Sequence, residues 1–185
     1  MNNLYFLSKN IIGGDLVVNL SSKEKFLLEG EKYQQQLAID KYNDYALQSH
    51  DPSLKTLFSN LSNIEQKHLD MVDEMLQGRI PHINKDSIHP YYENNTYSSS
   101  DYLNIGNITL TSFNDSYDDG DKIICFNALT TEELLHSTYS ASSLEFEKSQ
   151  FYDAFTYIIN EKVENIKYIN DYMNKKGMYN NNIYF

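Results

Sequence analysis

The stretch LKTLFSNLSNIEQKHLDMVDEM, from Leu54 to Met75, decides the fold. Its apolar residues Leu54, Leu57, Phe58, Leu61, Ile64, Met71, Val72 and Met75 recur at helical spacing, so they share one face of a helix. Glu65 and His68 are three residues apart and fall on that same face. A carboxylate and an imidazole set into an apolar stripe need partners, because a buried polar group left unpaired is costly. One recurring partner is a metal. In dinuclear carboxylate bundles a Glu comes from each of two helices and a Glu-x-x-His pair from each of the other two.

The chain around this helix divides into further helical segments. Ser21 and Glu24 form a capping box that starts a first helix over about 21–50. That helix stops before Asp51-Pro52, because the residue preceding a proline is pushed out of the helical region. Asp51 then caps the second helix, with Pro52 in its first turn, and Gly78 and Pro81 end it at about 77. Residues 79–126 are rich in Asn, Ser, Asp and Tyr. With Ser98-Ser99-Ser100 and Asp118-Asp119-Gly120-Asp121 as loop signals, they read as a long crossover connection. A third helix is expected over 127–147, with Ala128, Leu129, Glu132, Leu135, Tyr139 and Phe146 on one stripe. A fourth is expected over 149–176, with Phe151, Phe155, Ile159, Val163, Ile166, Ile169 and Met173 on one face. Residues 1–20, broken by Gly13-Gly14, form an N-terminal arm, and 178–185 a C-terminal tail. The predicted fold is all-α: a ferritin-like four-helix bundle over 21–177, made of two helical hairpins joined by a long crossover loop.

Composition narrows the function. A chain of 185 residues with 41% hydrophobic and 22% charged residues fits one globular domain. Its net charge of −11 argues against nucleic acid and against anionic membrane surfaces as partners. No apolar run approaches the roughly 20 residues of a membrane span. The start MNNLYFL carries neither a basic region nor a small-residue cleavage site, so no signal peptide is expected. Cys125 is the single cysteine and sits among Ile123, Ile124 and Phe126, which suggests a buried, unreactive thiol. The 16 tyrosines, with no tryptophan, reflect either base composition or a surface suited to cross-linked assemblies. Asp115 to Phe126 fails the calcium-loop pattern, with Tyr117 in its third position and Phe126 in its twelfth.

The two halves resemble each other. Leu27 to Glu31 is similar to Ala128 to Glu132, and the second helices align when Leu57, Leu61, Met71 and Met75 are set on Phe155, Ile159, Ile169 and Met173. In that register Glu65 falls on Val163 and His68 on Ile166, so the second Glu-x-x-His is missing; Glu161 and Glu164 lie off the stripe. The residues left for a metal are Glu31, Glu65, His68 and Glu132. They could hold a single iron, manganese or zinc ion, or form a metal-free hydrogen-bonded cluster.

Leu27 to Lys32, Asp51 to Leu54, Ile64 to His68 and the closing DYMNKKGMY of Asp171 to Tyr179 together resemble the coat F family of spore coat proteins. The resemblance implies a ferritin-like bundle and a structural, non-enzymatic place in the bacterial spore coat. It also implies synthesis in the mother-cell cytoplasm, other coat proteins as partners, and no cofactor. A ferritin-like metal protein with a redox role is the alternative, and a homodimer through an exposed apolar helix face stays open.

Overall fold

The computed structural model describes residues 10–12, 15–83, 117–146 and 151–179. Strands β1 (Asn10–Ile12) and β2 (Asp15–Val17) pair antiparallel, Asn10 opposite Val17 and Ile12 opposite Asp15. Four helices follow: α1 (Ser22–Gln48), α2 (Pro52–Leu76), α3 (Asp119–Glu145) and α4 (Tyr152–Lys175).

The helix starts follow the expected chemistry. Ser21 accepts from the Glu24 backbone N–H while the Glu24 carboxylate accepts from the Ser21 N–H, closing the capping box. Asp51 accepts from the Ser53 N–H ahead of Pro52. The third helix corrects the expected boundary. It begins at Asp119 rather than near 127, because Asp118 is an N-cap that accepts from the N–H groups of Gly120 and Asp121. The acidic run that reads as a loop is thus a cap and a first turn, where carboxylates favour the helix dipole. The remainder of the expected crossover, residues 84–116, lies outside the described residues.

Three residues connect α1 to α2, so the two form a hairpin; α3 and α4 form the other. The hairpins meet through α1 against α3 and α2 against α4. Contacts fix the directions. Lys41 reaches Thr131 while Ser142 reaches Glu31, so α1 and α3 run antiparallel. Asp51 pairs with Lys176 and Glu65 with Lys162, so α2 and α4 are antiparallel too. The backbone N–H groups of His50 and Asp51, at the start of α2, donate to the Asp121 carboxylate at the start of α3. Helices α2 and α3 therefore begin at the same end of the bundle. Between the four helices lies a core that includes Leu28, Tyr42, Phe58, Leu61, Cys125, Tyr139, Phe155 and Ile158.

Gly78 ends α2 with φ +73, and its carbonyl accepts from the Val18 N–H at 2.7 Å, fastening the arm to the bundle. A Cβ there would stand 2.4 Å from the Val18 carbonyl oxygen, whereas one on Gly30, inside α1, meets nothing within 4 Å. Gly78→Ala should lower stability by roughly 1–2 kcal/mol through left-handed strain plus the clash. Gly30→Ala should raise it by roughly 0.5–1 kcal/mol by removing a helix-interior glycine. Urea unfolding midpoints of the two variants, moving in opposite directions, check both statements.

Candidate functional site

One constant sequence offset relates the two hairpins. It sets the N-cap Ser21 on the N-cap Asp118, Glu24 on Asp121, Gln35 on Glu132, Tyr42 on Tyr139, Phe58 on Phe155 and Leu61 on Ile158. These pairs, apart from the caps, are buried on both sides. The same offset sets Glu65 on Lys162 and His68 on Asn165, all four fully or almost fully buried. The expected register was therefore one residue out for the second helices. Val163 and Ile166 are only half-buried, and the position of the second Glu-x-x-His is filled by Lys162-Val-Glu-Asn165. A buried lysine on an apolar face contradicts ordinary burial preferences. For that reason an alignment that maximised apolar matches slid past it.

The site is a closed polar cage between the hairpins. Lys162 Nζ and Gln35 Nε2 both donate to Oε2 of Glu65. Asn165 Nδ2 donates to Oε1 of Glu65 at 3.0 Å and to Oε2 of Glu132 at 3.3 Å. Lys162 Nζ lies 3.8 Å from Glu132, and Tyr42 donates its phenol to the other Glu132 oxygen. Tyr139 donates to the Gln35 carbonyl at 3.1 Å. His68 Nδ1 stands 3.4 Å from Glu65; its Nε2 is 3.7 Å from Glu161, too far for a hydrogen bond, and has no hydrogen-bond partner.

Of the expected ligands, Glu65 and His68 meet, and Glu132 joins them through Asn165 and Lys162. Glu31 turns elsewhere and accepts from Ser142 at 2.7 Å and Thr138 at 3.2 Å. The counterpart of Glu132 is Gln35, one turn beyond Glu31. The donor set does not fit a dinuclear centre. Of the six positions that would supply Glu, Glu, Glu-x-x-His and Glu-x-x-His, three hold Gln35, Lys162 and Asn165. The lysine brings its own positive charge between the two carboxylates. Like charges in a buried space repel strongly, so an ammonium there disfavours a metal cation.

The electrostatics follow from one cation shared by two acids. Burial alone would raise Glu65, but the charges of Lys162 and His68 outweigh it and hold the carboxyl at about 2. Burial raises Glu132 to about 7; Lys162 opposes this and the Glu65 charge adds to it. Burial and Lys162 lower His68, yet Glu65 and Glu161 prevail and raise it. Burial, with Asp121 and Asp51 nearby, pushes the Cys125 thiol up to about 12, in keeping with an unreactive thiol.

A second group of ligand-type side chains, His50, Asp118 and Asp121, meets within 4.8 Å at the bundle end. Both carboxylates already serve the backbone: Asp118 caps α3 and Asp121 accepts from the His50 and Asp51 N–H groups. The group reads as an end clamp.

With the geometry in place, the comparisons with known proteins can be set beside it. Residues 120–182 match the Coat F domain model. This chain carries a Coat F domain. The match runs from the first turn of α3 through α4, covers about a third of the chain, and includes Glu132, Lys162 and Asn165. It contains the DYMNKKGMY stretch, while the other segments that resemble the family lie outside it, in the first hairpin. The chain has no match among curated proteins or solved structures.

Two outcomes follow from the cage. Lys162→Met should cost about 3–5 kcal/mol, because it leaves Glu65 buried without its strongest counter-charge. Urea unfolding near neutral pH measures it. Glu132 binds its proton more tightly folded than unfolded. Its contribution is therefore full below its ordinary value of 4.5 and is lost as pH rises through about 7. Glu65 works the other way: its contribution is present above 4.5 and lost as pH falls through about 2. Stability should thus decline from about pH 5 to about pH 8, and Glu132→Gln should remove roughly 2–3 kcal/mol of that decline. Equal slopes for wild type and variant would refute the assignment.

Proposed function

We propose that this chain is a structural, non-catalytic component of the bacterial spore coat. In this reading it is a ferritin-like bundle in which the Lys162 ammonium stands where related architectures hold metal. The observation that carries it is the buried Lys162, ion-paired with Glu65 and 3.8 Å from Glu132, in a chain with a Coat F domain. The ferritin-like arrangement is supported by the helix directions: α2 ends and α3 begins at opposite ends of the bundle, as a crossover between hairpins requires. Among the described residues, no helix is long and apolar enough to cross a membrane.

Assembly with other coat proteins has a physical basis on the outer faces of α1 and α3. Phe26, Leu37 and Leu47 are exposed, and the hairpin offset sets them on Ile123, Leu134 and Leu144, which are exposed as well. Exposed apolar side chains that recur at matched positions suit a surface that docks partners, whether other coat proteins or a second copy. The chain is made in the mother-cell cytoplasm in this reading.

Detection of the protein in purified, washed spores tests the reading, and its absence there would end it. Leu47→Glu with Leu144→Glu, at 80% and 86% exposure, should leave helicity and stability unchanged while lowering incorporation into the coat several-fold. The alternative, a ferritin-like protein holding iron, manganese or zinc, predicts a stoichiometric ion in untagged protein that is lost in Glu65→Ala or His68→Ala. That result would replace the metal-free reading.

A further inference from the structure

The two departures from a symmetric carboxylate cage, Gln35 and Lys162, lie on different hairpins and meet at one atom. Lys162 Nζ and Gln35 Nε2 both donate to Oε2 of Glu65. The Gln35 carbonyl oxygen accepts from the Tyr139 phenol at 3.1 Å. Gln35, Glu65, Tyr139 and Lys162 are each fully buried, so bulk water is excluded from the reacting groups.

From this geometry we propose that Lys162 and Gln35 form an intramolecular amide cross-link between α4 and α1, with release of ammonia. An amine and a carboxamide held together in a dry cavity gain the advantage of an oriented intramolecular reaction. Each neighbouring group has a place in it. Glu65 takes a proton from the Lys162 ammonium, and the freed Nζ attacks Cδ of Gln35. The new N–C bond forms as the carbonyl oxygen gathers negative charge, and the Tyr139 O–H donates to that oxygen. Glu65 then passes the proton to Nε2, the Cδ–Nε2 bond breaks, and ammonia departs. The balance is one alkylammonium and one carboxamide giving one secondary amide and one ammonium ion. No oxidant and no further reactant enters.

The partner choice follows from the hydrogen bonds. Asn165, the other carboxamide in the cage, gives its N–H groups to Glu65 and Glu132, and among the described residues no O–H donor reaches its carbonyl. Gln35 has both the proton shuttle on its nitrogen and the donor on its oxygen. The reaction happens once per chain and is no turnover. Its product ties one hairpin covalently to the other across the bundle, which suits a protein built into a resistant layer. This assignment rests on the metal-free reading of the cage and not on the spore location.

Intact-mass spectrometry of the full-length, denatured protein tests it, followed by proteolysis and fragment mapping. The expected result is a mass lower by one ammonia and a branched peptide joining the Gln35 segment to the Lys162 segment. Lys162→Arg keeps a positive charge beside Glu65 and should show its full sequence mass. Tyr139→Phe keeps the amine and the carboxamide and should slow formation at least about tenfold. Full sequence mass in the folded wild-type protein overturns the cross-link, and so does an ammonia loss that maps to Asn165 or elsewhere. An unmodified chain recovered from washed spores would refute the bond and leave the coat reading standing; a cross-linked chain absent from spores would do the reverse.

Discussion

Everything between the two hairpins turns on the Lys162 ammonium and the two carboxylates beside it. An isolated buried charge is expensive, and here three ionisable groups are buried where four helices converge. The arrangement holds because every oxygen of Glu65 and Glu132 has a donor, and because the donors come from all four helices: Gln35 and Tyr42 from α1, His68 from α2, Lys162 and Asn165 from α4, with Glu132 itself on α3. One cation cannot neutralise two acids at once. Glu65 therefore keeps its charge and Glu132 is pushed toward its protonated form. This division is the electrostatic signature of a cage that holds one ammonium.

Such a cage is a poor source of raw stability, since the desolvation of buried ions offsets much of their attraction. Its effect is on specificity. Within each hairpin, apolar side chains do most of the packing and tolerate sliding. Between hairpins, Tyr42 must meet Glu132, Tyr139 must meet Gln35, and Ser142 must meet Glu31. A slip of one turn in α1 against α3 would leave several buried polar groups unpaired, so the polar contacts fix a register that apolar packing alone leaves loose.

The pseudo-symmetry explains how such a cage can arise without metal. Six positions in two matched hairpins hold Gln35, Glu65, His68, Glu132, Lys162 and Asn165. The first hairpin keeps the Glu-x-x-His pair and exchanges a carboxylate for a carboxamide. The second keeps a carboxylate and exchanges the pair for Lys and Asn. The substitutions are complementary: the fixed positive charge arrives on one hairpin opposite the carboxylate retained on the other.

The sequence by itself determined the helical class, the ends of α1 and α2, and the placement of Glu65 and His68 together on a buried face. Those features depend on local rules: helical periodicity, the Ser21–Glu24 capping box and the cap at Asp51 before Pro52 act within a few residues. The start of α3 was legible too, but Asp118-Asp119-Gly120 serves equally as loop or cap, and only the helix that follows distinguishes them. The tertiary structure alone decided the register between the halves and the identity of the cage. Lys162 and Asn165 look like surface residues in one dimension, and Glu31 looks like a better match for Glu132 than Gln35 does. Which face of α4 turns inward is set by packing against α2 and α3. A lysine becomes a core residue only when carboxylates distant in sequence are brought to meet its charge.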